Sequence, residues 1–173
     1  AVRAPMYWLL DERTRLAGCL MIRDAVYRLI EEEGIDTYKK FIREVIEDGR
    51  RAFCQRVKET LIPGKYEAPS FIDVPFKNEQ SLPENARKDI LMHAPLKMEV
   101  GAEGEFKLSL EGASKWGYHS FNCGPSAMQG ALWVQLTQTL IPNDKVNDGA
   151  YLATSFNLPK GSWANPENPL LST

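Results

Sequence analysis

Apolar residues near the start of the chain return at three- and four-residue steps through Leu16, Cys19, Leu20, Ile22, Val26, Leu29 and Ile30. That period predicts an amphipathic helix over about 11–33, with Asp11 as its N-cap and Gly34 where a left-handed C-terminal cap would sit. A second stripe runs through Tyr38, Phe41, Ile42, Val45, Ile46, Phe53, Val57 and Leu61, opens behind Asp36 and stops at Pro63-Gly64. Proline cannot continue a helix, so the second helix ends there. The link Gly34-Ile35 is so short that an antiparallel, packed hairpin is expected. Gly49 interrupts the second stripe at a cost of about 1 kcal/mol relative to Ala, which a packed pair tolerates.

Beyond Gly64 the period shortens. Residues 66–76 are proline-punctuated and hold Phe71, Ile72 and Val74, which suits an edge strand or extended segment. Residues 77–87, KNEQSLPENAR, read as a polar loop. Leu96, Met98 and Val100 then alternate with Lys97 and Glu99, GAEG turns the chain, and Phe106, Leu108 and Leu110 alternate with Lys107 and Ser109. Strict alternation on both sides of a glycine-flanked turn predicts a β-hairpin with one buried face. A further helix is expected from Ser126, as its cap, to Leu140, before Pro142. Residues 143–173 read as turns and short strands. The fold class is α+β: an N-terminal helical hairpin over residues 1–62, then a mixed α/β module over 63–173 with a β-hairpin and one further helix.

Composition and charge narrow the function classes. The 173 residues are 43% hydrophobic with a net charge of -2, so neither a polyanion nor a membrane is favoured as partner, and a cytoplasmic location is expected. Three widely spaced cysteines, Cys19, Cys54 and Cys123, suggest reduced thiols rather than a disulfide framework. Residues 1–62 carry 23 charged side chains, whereas residues 112–173 carry six: Lys115, Asp144, Lys145, Asp148, Lys160 and Glu167. So few charges lead us to expect that protein outside this chain covers the C-terminal third. The first residue is not Met, and the chain reads as an internal piece of a longer polypeptide.

The candidate chemistry lies in KWGYHSFNCG, residues 115–124. His119 is the residue type most readily poised near neutral pH, with Asn122 and Cys123 close behind it. A Cys–His nucleophile pair needs an orienting group and an activated thiol, which neighbours four apart in a loop rarely provide. A structural His and a buried thiol are therefore favoured, His119 and Asn122 being the residues that could line a cavity. His93 reads as a strand-entry residue. Two histidines with no HxH or HExxH spacing offer no metal site, and neither GxxxxGK[ST] nor GxGxxG occurs. Asp144 and Asp148 in PNDKVNDG fit a turn, with Gly149 at positive φ, better than a calcium loop.

The order of helix pair, PGKYEAPSFID, β-hairpin, EGASKWGYHSFNCGPSAMQGALW and PNDKVNDGAYLATSFNLPKGSWANPENP resembles the hydantoinase B/oxoprolinase family over essentially the whole chain. NDGAY and GSWANPENP carry the family likeness. LAGCLMIRD, EDGRRAF, LMHAPL and KWGYHSFN are most similar to its ketone-carboxylating large, or alpha, subunits. The resemblance implies a ligase that carboxylates acetone with bicarbonate to acetoacetate, as a heterohexamer of alpha, beta and gamma subunits. It implies ATP with Mg handled by a hydantoinase A-like beta subunit. It also implies a Mn(II) centre whose His and Asp ligands precede the matched stretch, so neither cofactor is bound by this chain alone. Its alternatives are ATP-dependent opening of a hydantoin or 5-oxoproline ring, or carboxylation of an aromatic ketone. Outside the family, the hairpin would make a non-catalytic interaction module.

Overall fold

The computed structural model describes residues 4–78, 80–81, 83–117, 119–141 and 145–168. The chain divides into two compact units, Ala1–Val45 and Ile46–Thr173, the boundary falling inside the second helix.

In the first unit, helix α1 spans Pro5–Glu33 and helix α2 begins at Ile35 and runs to Thr60, with Gly34 between them at φ 85°. The α1 start precedes the expected cap at Asp11, because Pro5 fits the first helical turn, where its missing N–H is not needed. Two helices joined by one residue form as the sequence suggests. The stripes expected to be buried between them are not: no residue of α1 is buried, nor is any of residues 35–45. Met6, Tyr7, Trp8, Leu9 and Leu10 occupy five successive positions and so surround the axis, whereas an amphipathic helix confines its apolar residues to one face.

The second unit is organised by the later half of α2. Phe53 and Val57 are fully buried there, facing a four-stranded sheet whose strands lie in the order Gly64–Ala68 (β1), Leu96–Val100 (β4), Phe106–Ser109 (β5) and Thr154–Asn157 (β6). Strands β4 (Leu96–Val100) and β5 (Phe106–Ser109) form the expected hairpin, pairing Met98 with Leu108 and Val100 with Phe106 on the core face. Lys97, Glu99 and Lys107 fall on the opposite face by the two-residue period. Gly104, at φ 86°, lets the hairpin turn lie against the α2 backbone, where a Cβ would overlap the Cys54 carbonyl.

Residues 66–76 are not one segment. They divide at Pro69-Ser70 into β1 (Gly64–Ala68), antiparallel to β4, and β2 (Phe71–Val74), which pairs in a separate two-stranded sheet with β3 (Ile90–His93). Helix α3 spans Pro125–Thr139 and is preceded by Gly124, so Ser126 lies inside the first turn instead of capping it. A short helix α4 (Gly149–Leu152) leads into β6 (Thr154–Asn157), which returns parallel to β5 and makes the sheet mixed. Leu136, Leu140, Ile141 and Ala150 complete the core, and Phe53 meets Phe106 edge-on at 6.2 Å and Trp133 at 6.3 Å.

The NDG turn forms, with Gly149 N–H donating to Asn147 Oδ1 at 2.8 Å, but Gly149 does not take the expected positive φ. It is glycine for lack of room: a Cβ would overlap the Ile46 carbonyl oxygen of α2. The same close approach explains Gly49, where a Cβ would overlap the Asn147 side chain. Lys145 bonds Asp48 at 2.8 Å beside it, holding that carboxyl below its ordinary pKa. Asp144 lies outside the described residues.

Candidate functional site

Two loops interlock beside the sheet: residues 110–124, between β5 and α3, and residues 158–168, after β6. Trp116 N–H donates to Gly161 O at 3.2 Å, Trp163 N–H to Ser114 O at 3.0 Å and Cys123 N–H to Trp163 O at 2.7 Å. The second loop is braced internally. Ser162 Oγ donates to Pro159 O at 2.6 Å, Gly161 N–H to Asn165 O at 2.8 Å and Asn165 Nδ2 to Leu158 O at 3.1 Å. Ser162 and Ala164 are buried. The GSWANP motif is thus a backbone brace that positions its neighbour.

That neighbour is GYHSFN. Asn122, 2% exposed, closes the loop: its Nδ2 donates to Gly117 O at 2.6 Å and His119 O at 3.2 Å, and its Oδ1 accepts from Gly117 N–H at 3.2 Å. A chain that reverses without regular structure must find partners for its backbone groups, and a side-chain amide supplies donor and acceptor together. The structure therefore brings His119 and Asn122 together, and Asn122 acts as the clamp that holds the His119 backbone.

His119 is 8% exposed. Its Nδ1 accepts from Phe121 N–H at 3.3 Å, so Nδ1 carries the lone pair and the neutral ring has its proton on Nε2. Burial pushes its pKa below the ordinary imidazole value, so the ring is neutral at pH 7. Among the described residues the Nε2 atom has no partner. Gly117 makes space for this ring, since a Cβ there would come within 3.0 Å of His119 Cδ2 and 3.2 Å of Nε2.

Cys123 does not join it. The thiol donates to Gly124 O at 3.6 Å, burial pushes its pKa up, and neither ring nitrogen of His119 bonds it. Of the aromatic residues in the stretch, Trp116 and Phe121 are 39% and 42% exposed, so they are not core anchors; Tyr118 lies outside the described residues.

His93 has a place that sequence reasoning missed. At the end of β3, its N–H donates to Ser114 Oγ at 2.9 Å, and its carbonyl accepts from Ser114 N–H at 3.0 Å and Trp163 Nε1 at 3.2 Å. Its Nδ1 lies 2.9 Å from Gly112 O, which can only accept, so here Nδ1 is the donor. Phe71 stacks on the ring at 5.1 Å. The signal available was an LMHAP sequence next to Phe- and Trp-containing loops, which does not specify such a junction.

A separate groove of about 450 Å³ lies over the sheet's polar face, lined by Lys65, Glu67, Lys97, Glu99, Lys107 and Ser109. Lys97 lies 3.7 Å from Glu67 and 3.8 Å from Glu111, and Lys65 lies 3.9 Å from Glu99; such exposed pairs contribute little. Along α2, Arg50 bonds both oxygens of Glu47, at 2.7 and 2.8 Å. Among the described residues no group of three His, Cys, Asp or Glu could hold a metal ion, so this stretch does not fit a Mn(II) centre, and no helix is long and apolar enough to cross a membrane.

A family model for hydantoinase B/oxoprolinase matches residues 1–170. Over 169 residues the chain is 46% identical to the acetone carboxylase alpha subunit of Xanthobacter autotrophicus strain Py2, covering 96% of this chain and 22% of that protein. The nucleotide-free structure of acetone carboxylase, from work on ATP-dependent acetone carboxylation, matches with a TM-score of 0.83 and 46% identity, over 92% of this chain and 21% of that one. The ATP-dependent caprolactamase of Pseudomonas jessenii matches with a TM-score of 0.75 over 99% of this chain and 28% of its own, and at 17% identity that likeness is one of fold. The chain spans about a fifth of the length of the acetone carboxylase chains it matches. With NDGAY set against α2, GSWANP bracing the neighbouring loop and the family model matching nearly end to end, the chain belongs to the hydantoinase B/oxoprolinase family.

Proposed function

We propose that this chain is part of the alpha subunit of an ATP-dependent acetone carboxylase, converting acetone and bicarbonate to acetoacetate. The observation that carries the reading is 46% identity across 96% of the chain to an acetone carboxylase alpha subunit. In this reading the complex is a cytoplasmic heterohexamer with hydantoinase A-like beta subunits and gamma subunits. ATP and Mg bind outside this chain, as does any Mn(II). The chain alone is inactive and contributes a wall.

Carboxylation next to a ketone needs a proton removed from carbon and the resulting enolate directed at an activated carboxyl group, so an enclosed site with few competing charges favours it. The braced GYHSFN loop suits such a wall, with the clamped Asn122 fixing the loop and His119 lining the cavity. Helix α1 suits the same reading: its start, Met6 to Leu10, is apolar at five successive positions and exposed, and the remainder of a subunit more than four times this length would cover it.

The test is intact-mass measurement of the polypeptide that carries this sequence in its source, together with its co-purifying subunits. A large subunit with two different partners is expected; a free polypeptide of 19.6 kDa would overturn the reading.

A further inference from the structure

We infer that His119 serves the reaction as a neutral hydrogen-bond donor, presenting Nε2–H to an oxygen that gains negative charge, and not as a general base. The inference rests on the carboxylase reading for the identity of that oxygen, the ketone oxygen as it becomes an enolate.

The geometry assigns the role in three steps. A general base needs a free lone pair, and the His119 lone pair is at Nδ1, already engaged by Phe121 N–H at 3.3 Å. The remaining nitrogen, Nε2, can then only donate. A buried donor without an acceptor loses its hydration and gains nothing in return, so a loop closed by Asn122 and opened at Gly117 to hold this ring implies an acceptor beyond the described residues. The ring is also held neutral by burial, which suits donation, since a neutral imidazole polarises an oxygen without surrendering its proton. His93 provides the contrast. Its Nδ1 donates to Gly112 O, whereas the Nδ1 of His119 accepts from Phe121 N–H, so the fold gives the two Nδ1 atoms opposite roles.

In this role no bond to hydrogen breaks at His119. The proton lost from the ketone's carbon goes to a separate general base supplied by the rest of the complex, while the charge arriving on oxygen is met by Nε2–H. Glutamine can place an amide N–H near the position of imidazole Nε2 but cannot act as a base, whereas leucine fills the volume without donating.

The experiment uses the assembled protein with His119→Leu and His119→Gln, scored for assembly, turnover and the pH profile of turnover. His119→Leu is expected to assemble and lose about 10²- to 10³-fold in turnover, the usual scale for one oxyanion donor. His119→Gln is expected to return to within about tenfold of wild type with the wild-type pH profile. Equal loss in both variants, or a pH limb that vanishes in His119→Gln, would make His119 a base; reduced assembly with normal turnover would make it core. A density map of the assembled protein decides the point whichever substrate is used. An oxygen acceptor or an open cavity within about 3.2 Å of Nε2 is expected, and carbon atoms packed against it overturn the donor role. Failure of the carboxylase reading would appear separately, as a wild-type complex inactive on acetone.

Discussion

Gly149 and Gly130 show how differently one residue type is used in this chain. A Cβ at Gly149 would overlap the Ile46 carbonyl, whereas at Gly130, inside α3, it meets nothing within 4 Å. Gly149→Ala should destabilise by about 1–3 kcal/mol or more through overpacking, while Gly130→Ala should stabilise by about 0.4–1 kcal/mol by restricting the unfolded chain. Urea unfolding of the two variants checks both signs. His119 gives a pH dependence. Above about pH 6.5 the imidazole is neutral in folded and unfolded chain alike. As pH falls below that value the unfolded chain binds the proton first, because burial holds the folded pKa lower, and stability falls until folded His119 also protonates. Comparing melting temperatures at pH 5 and 7.5, wild type should lose more on acidification than His119→Gln; an equal loss would show that His119 does not titrate differently on folding. At this scale the sequence identified the turn at Asn147 and singled out His119 and Asn122, though as cavity-lining residues and not as a loop and its clamp. It did not reveal why Gly49 and Gly149 are glycines, since close approach of two distant segments leaves no local pattern.

Elements with strict alternation were legible. Met98, Val100, Phe106 and Leu108 alternate with charged or polar residues because one face of the hairpin meets the α2 core, and the structure forms that hairpin, with Met98 opposite Leu108 and Val100 opposite Phe106. β3 was not legible, since Ile90-Leu91-Met92 runs apolar without alternation, and β6 falls where short strands were expected but joins by parallel pairing across a long crossover that no local pattern marks. α1 was misjudged for a different reason: selecting its three- and four-step residues finds a stripe, but Leu16, Leu20, Ile22 and Leu29 of that stripe are exposed within this chain. The core itself makes a contrast. Phe53, fully buried against Phe106 and Trp133, should cost about 3–5 kcal/mol as Phe53→Ala, whereas Trp116→Ala, at a residue 39% exposed, should cost distinctly less. Chemical denaturation of both variants measures the difference, and equal costs would mean that Trp116 is enclosed by protein beyond this chain.

For the whole molecule, the low charge of residues 112–173 suggested that missing protein covers that end. From that end Leu136, Leu140, Ile141 and Ala150 join the core of the second unit while Trp116, Phe121, Val134, Val146 and Leu152 stay exposed, and the larger share of the exposed apolar residues described lies on α1 and the start of α2. The polar groove over the sheet and the braced loop at His119 are separate features of that unit, and the loop is the one whose buried donor asks for a ligand. The central claim is that this fold forms part of a machine that joins bicarbonate to a ketone. The most direct measurement is incorporation of radiolabelled bicarbonate into acetoacetate by the complex purified with the polypeptide that carries this sequence, with acetone, ATP and bicarbonate omitted in turn. Label in acetoacetate is expected when all three are present and none when any is left out. ATP-dependent opening of a lactam or hydantoin ring, with no label fixed from bicarbonate, would contradict it.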